Sequence, residues 1–236
     1  MIQIQNGILK AGFLSKGAEL RTLISSSNNQ EWMWQANPAF WGKTSPILFP
    51  IVGGLKNDSY HYNGATFHLP RHGFARDKEF EIRKQEESKI VFGLSSDETT
   101  KAIYPFDFDL EVEYSLKGNA LQTTYRVKNT SQKAELWFSL GAHPAFAIDV
   151  DERKAFSDYK IRFSNDNELH LHPLHNNLLQ QETRNVPLQQ QSLPLAYSLF
   201  ENDALVMTDM KSKELVLENS TDKKGLCFRF TNFCNR

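Results

Sequence analysis

Two histidines sit where proton transfer is as good an explanation as packing. His143 lies in LGAHPAFAID, residues 140–149, between Gly141-Ala142 and Pro144, with Phe146 following. Imidazole has the side-chain pKa closest to neutrality, so it can give or take a proton at working pH. Pro144 stiffens the backbone next to it, and the small residues before it leave room for a close approach. Alone, a histidine in an apolar run is more often a satisfied core residue. His72 lies in LPRHGFARDKEF, residues 69–80, flanked by Arg71 and Gly73 and followed by Arg76. A His and an Arg four residues apart, outside any long helix, can converge on a ligand rich in hydroxyls. The plain alternative is a surface turn with Arg76 paired to Asp77 or Glu79. The two histidines are 143 − 72 = 71 residues apart, so different strands would have to bring them together.

Other candidates carry less. ELHLHPLHNN holds His170, His172 and His175. On a strand His170 and His172 share a face, as a metal site would need, but no further ligands follow at a recognisable spacing. No metal is therefore expected. Asp203, in LFENDALVMTD, could accept hydrogen bonds from hydroxyls or merely close a turn after a short helix. Trp32, Trp34 and Trp41 could stack on a ligand ring or fill core. There is no Gly-rich phosphate loop, GxSxG, Cys/His quartet or basic stripe with interleaved aromatics, which argues against nucleotide, hydrolase and nucleic-acid functions.

The elements that must position these residues are strands. IQIQN (2–6), YHYNG (60–64), EFEIRKQ (79–85), KIVFGLS (89–95), FDLEVEYSL (108–116) and ALQTTYRVKN (120–129) alternate or nearly so. KIRFS (160–164), ELHLH (168–172), ALVMTD (204–209), KELVLEN (213–219) and GLCFRF (225–230) extend the series. Asn63-Gly64 and Lys117-Gly118-Asn119 mark hairpins. Short helices are expected within 96–105 and 193–203, and residues 180–194 read as a polar loop. The chain is all-β, best arranged as two stacked antiparallel sheets. No composition shift marks a boundary, so one domain over residues 1–236 is expected. A net charge of −1 gives no field for nucleic acid or an anionic membrane. No signal peptide or apolar span is visible, and the two cysteines, Cys227 and Cys234, are too few for a disulfide framework. A cytoplasmic setting is the expectation.

Taken together and in order, the segments 45–80, 120–131, FSLGAHPAFAI (138–148) and 200–219 resemble the aldose 1-epimerase (mutarotase) superfamily, most closely its LacX-like branch. HGFAR and GAHPAF, correctly ordered and spaced, carry most of that resemblance. It implies a large antiparallel β-sandwich of the galactose-mutarotase type. It also implies a reaction that interconverts the α and β anomers of a free hexose. A base takes the anomeric hydroxyl proton while an acid protonates the ring oxygen; the ring opens, the carbonyl turns, and reclosure gives the other anomer. Both steps are proton transfers, so no cofactor is implied. On this resemblance His143 is the general acid and His72 orients it or binds near the ring oxygen. Asp203 binds hydroxyls, and Arg76 is a further contact, suited by its fork of donors to a phosphorylated sugar as well.

Two departures stand out. The branch usually carries Arg in the segment that here reads IVGGLKN, where position 54 is Gly; Lys56, Arg71 or Arg76 would have to stand in. The family base is a Glu after a CIEPW-like strand, and no such segment occurs here. The chain is accordingly expected to lack the final family strands and to anomerise weakly or not at all while keeping some sugar binding. An exposed sheet edge would invite a homodimer. A non-catalytic sugar-binding member of the same fold is the competing expectation.

Overall fold

The computed structural model describes residues 1–148, 155–221 and 224–230. Strand dominates at 45% against 8% helix, as the alternating pattern requires. Although no boundary is visible in composition, the chain clusters into two compact units, Met1–Ile148 and Asp149–Arg236.

In the first unit, Ile2–Gln5, Leu9–Phe13 and Leu20–Ser25 form a three-stranded antiparallel sheet. A second antiparallel sheet runs Ala120–Asn129, Phe108–Lys117, Lys89–Ser95, Glu81–Gln85. The alternation in Phe108–Lys117 explains how the two meet. Phe108, Leu110, Val112 and Tyr114 are buried, while Asp109, Glu111 and Glu113 face outward. There the acids pair with Arg83, Lys89 and Arg126, forming a solvated charge ladder. On the inner face Phe13 of the first sheet packs against Tyr114 and Phe92 of the second, with ring centroids 4.6 and 5.8 Å away. The buried Tyr114 hydroxyl donates to the Ala18 carbonyl at 3.0 Å, so the phenol is not left unpaired. Each such buried aromatic contributes roughly 1.5–3 kcal/mol.

Both expected hairpins form. Asn63 and Gly64 have φ of 48° and 80° between Ser59–Tyr62 and Ala65–His68, the doubly left-handed turn that favours Asn-Gly. Gly118 and Asn119 join Phe108–Lys117 to Ala120–Asn129. The helix signal at 96–105 becomes the single turn Glu98–Lys101, held by a capping box between Asp97 and Thr100.

In the second unit the sheet order is Ser192–Pro194, Tyr159–Phe163, Glu214–Asn219, Gly225–Arg229. Its core gathers Phe163, Leu169, Leu171 and Leu193. Two expectations are corrected here. Residues 204–209 form no strand beyond one bridge, Val206 to His172. The 180–194 segment is not simply loop: Arg184–Pro187 pairs with Glu168–Leu171, and Ser192–Pro194 with Tyr159–Phe163. Partners remote in sequence supply the ladder that its polar composition does not advertise.

Candidate functional site

His143 stands at the end of a laced strand. Gly141–Ala142 pairs antiparallel with Ile47–Leu48. The His143 N–H then donates to the Pro46 carbonyl at 3.1 Å and the Ala145 N–H to Thr44 at 2.8 Å. Trp34 N–H donates to Ala145, and Ala147 N–H to Trp32, both at 2.9 Å. The backbone around Pro144 is therefore tied on two sides, which fixes where the imidazole can sit. A Cβ at Gly141 would lie 3.1 Å from a methyl of Val52, so a larger residue there needs that side chain to give way.

His72 is held by a different device. Its φ is +70°, a region that costs a residue with a Cβ about 1–2 kcal/mol, so surrounding bonds must enforce it. They do. The His72 N–H donates to the Gly53 carbonyl at 2.8 Å, and the Gly53 N–H donates to the His72 Nδ1 at 3.0 Å. This two-point clasp on one glycine fixes the ring's orientation. It also fixes the tautomer, because a backbone N–H can only donate: Nδ1 is the acceptor and the neutral ring carries its proton on Nε2. Next to it Gly73, also at φ +70°, runs so close to Phe49 that a Cβ would lie 2.6 Å from the Phe49 carbonyl carbon and 2.7 Å from Pro50 Cδ. The Phe49 carbonyl in turn accepts from the N–H groups of Phe74 and Ala75 at 3.0 and 3.1 Å.

The fold brings the two imidazoles together, with ring centroids 6.1 Å apart. His143 is exposed and His72 half-buried, so neither is sealed in the core. The indole of Trp41 lies 4.8 Å from the His143 ring, which places this tryptophan at the site; Trp32 instead packs on the core. Both histidines are held below their ordinary pKa. Desolvation lowers His72 to about 4, reinforced by the charges of Arg71, Arg76 and His143. Desolvation also lowers His143, with Arg71 and Arg76 adding to it. At neutral pH both rings are therefore neutral hydrogen-bonding groups.

Arg71 is exposed and Arg76 folds back towards it, its Nη2 donating to the Arg71 carbonyl at 2.8 Å. Arg76 Nε lies 3.5 Å from Asp77 Oδ2, the pairing foreseen as its structural role. Lys43, which sequence reading overlooked, adds a third cation, with Nζ 3.1 Å from Asp77 Oδ1 and 3.4 Å from the Arg76 carbonyl. Gly53 was equally invisible, since nothing in IVGGLKN announces that a histidine nineteen residues later grips it.

Asp203 belongs to the second unit. It has φ +78°, is exposed, and its Oδ1 accepts from the Ala204 N–H at 2.8 Å, closing a turn after Tyr197–Phe200. His170 and His172 do share a face, but each is already engaged. His170 Nδ1 lies 2.6 Å from Asp209 and its Nε2 3.3 Å from Glu168, while His172 Nε2 lies 3.0 Å from Thr208. Among the described residues no group of three or more His, Cys, Asp or Glu is arranged to hold a metal.

The chain is strand-rich and brings two tilted imidazoles to ring centroids 6.1 Å apart. The aldose 1-epimerase family model matches residues 1–235. The plasmid-encoded LacX protein of Lactococcus lactis subsp. lactis is 33% identical over 242 residues, covering 99% of this chain and 81% of that protein. Among solved structures, a galactose mutarotase related enzyme from Lactobacillus acidophilus is 33% identical with a TM-score of 0.90, over 96% of this chain and 75% of the other. A galactose mutarotase-like protein from Lactobacillus casei is 29% identical with a TM-score of 0.86, over 93% and 75%. The chain belongs to the aldose 1-epimerase family, and its fold is the all-β galactose-mutarotase type. The family implies a sugar substrate. No helix among the described residues is long and apolar enough to cross a membrane.

Proposed function

We propose that this chain is an aldose 1-epimerase-type isomerase acting on a hexose, free or phosphorylated, with His143 as the general acid at the ring oxygen. The observation that carries the reading is the meeting of His143 and His72, from separate segments, 6.1 Å apart in an open site. His72 is the positioning partner: the Gly53 clasp leaves it a fixed Nε2–H donor to a sugar oxygen. Arg71 and Arg76 are assigned to its polar substituents, and the family resemblance keeps Asp203 as a candidate for binding a sugar hydroxyl.

Polarimetry on freshly dissolved α-galactose and α-glucose tests this. Anomerisation above the buffer rate, abolished in His143→Ala while hexose affinity stays within a few-fold, is the expected result. The second reading, a non-catalytic sugar binder, is favoured by Gly54 in place of the usual cation and by two rings held neutral. It requires hexose binding with no rate above buffer in either protein.

A further inference from the structure

Glu19 is a carboxylate in an apolar setting, only 4% exposed at the end of the turn that joins Leu9–Phe13 to Leu20–Ser25. Burying a carboxylate is costly unless hydrogen bonds satisfy it. Its Oε1 accepts the N–H groups of Thr44 and Ser45 at 2.5 and 3.1 Å. Arg21 Nη1, 3.8 Å from the same oxygen, is too distant for a hydrogen bond. Glu19 thus does for residues 44 and 45 what a neighbouring strand would do. On the other side, the Thr44 and Pro46 carbonyls accept the N–H groups of Ala145 and His143. Further along, the Phe49 carbonyl accepts those of Phe74 and Ala75, and Phe49 bridges Gly73. Residues 44–49 are therefore a common rail for both imidazoles. The turn that carries Glu19 is itself braced. The Gly17 N–H donates to the Lys78 carbonyl at 2.8 Å, and a Cβ on Gly17 would lie 2.7 Å from the Arg76 carbonyl oxygen. Ala18, buried at φ +46°, has its carbonyl held by the Tyr114 hydroxyl.

We propose that Glu19 is a positioning residue for His143: by holding the Thr44 and Ser45 N–H groups it fixes the end of the rail on which the His143 backbone hangs. This rests on the acid role given to His143 above. Without the acceptor, two buried N–H groups are left unpaired and residues 44–46 shift towards water, taking His143 with them. Phe49 still holds the His72 loop, so the 6.1 Å between the rings is the quantity that Glu19 sets. Donating a proton to a sugar oxygen requires hydrogen-bond reach, and a misplacement of about 1 Å costs about 10²-fold in rate. Sugar binding is shared among more contacts and suffers less. The acceptor oxygen does this work, so an amide in its place serves as well.

The test compares Glu19→Met, which removes the acceptor at similar length, with Glu19→Gln, which keeps it, in the full chain. The first readout needs no turnover. It is amide hydrogen exchange together with the Cε1–H signal of His143, whose ring lies 4.8 Å from the Trp41 indole and senses its ring current. In Glu19→Met the His143 and Ala145 amides should lose protection by about tenfold or more and the ring signal should move, while Glu19→Gln matches the parent. Asp166→Leu is the control. Asp166 is also buried and accepts two N–H groups, those of Lys211 and Ser212, within the second unit, so the same loss there should leave the His143 signals in place. His143 signals unmoved in Glu19→Met, or moved equally in Asp166→Leu, overturn the proposal. If Glu19→Met does not fold, the parent decides: the Thr44, Ser45, His143 and Ala145 amides should exchange as one protected group, and free exchange of Thr44 and Ser45 overturns it. Anomerisation of galactose and glucose is read separately. Where the parent turns over either sugar, Glu19→Met should lower kcat by about 10²-fold with KM within a few-fold, and an unchanged kcat also overturns the proposal. No turnover in the parent sinks the acid role of His143, and the exchange results still decide whether Glu19 positions it.

Discussion

Replacing Gly73 with alanine tests the loop that carries Arg71, His72 and Arg76. Gly73 has φ +70°, which alone costs an alanine about 1–2 kcal/mol. The added methyl would also lie 2.6 Å from the Phe49 carbonyl carbon, a backbone atom that cannot rotate aside. Relief requires the loop to lift, and the Phe49 carbonyl then loses its bonds from Phe74 and Ala75 N–H. Each of those contributes about 0.5–1.5 kcal/mol. The sum is about 2–5 kcal/mol, or a Tm lower by very roughly 5–15 °C at this chain length. Gly118→Ala is the matched control: φ is +58° but nothing lies within 4 Å of the new methyl, so only the conformational cost of about 1–2 kcal/mol applies. Urea unfolding followed by tryptophan fluorescence gives both values. A Gly73→Ala midpoint no lower than that of Gly118→Ala would refute the close approach of residues 73 and 49, and with it the account of how His72 is held.

His72 has its folded pKa pushed down to about 4 from the usual 6.5, so the unfolded chain binds more protons between those values. Its contribution is present in full above pH 6.5 and lost as the pH falls towards 4. Urea midpoints measured from pH 7 to 4 should fall less steeply in His72→Gln than in the parent, and parallel slopes would count against a half-buried neutral ring. Asp97→Ala removes the side-chain acceptor for the Thr100 N–H at the start of Glu98–Lys101 and should cost about 1 kcal/mol in the same denaturation assay.

The parts of the fold set by local chemistry were legible in the sequence. Asn63-Gly64 specifies a hairpin because both residues tolerate positive φ, and the alternation of Phe108–Lys117 separates core from charge ladder without reference to anything distant. Residues 184–187 hid because their polar composition reads as loop, while pairing with Glu168–Leu171 decides their state. Residues 204–209 misled in the opposite direction: their alternation is real, yet only Val206 finds a ladder partner. At the site, residue type nominated His72 and His143, since an ionisable ring beside Gly or Pro is chemically conspicuous. What could not be read was the device that aims them. The clasp on Gly53 depends on a histidine adopting φ +70°, a choice enforced by tertiary bonds and invisible in HGFAR. The place of Trp41 over His143, rather than that of Trp32 or Trp34, is likewise a matter of how distant segments cross.

The account depends above all on one sugar site that engages both rings. Titrating the isotope-labelled chain with galactose, glucose and glucose 6-phosphate, while following the imidazole 15N and Cε1–H signals of His72 and His143, tests that directly. The prediction is that at least one of these hexoses moves both sets of signals along a common saturation curve, with His170 and His172 unaffected. Signals of His72 and His143 that stay in place at saturating concentrations of all three would contradict it.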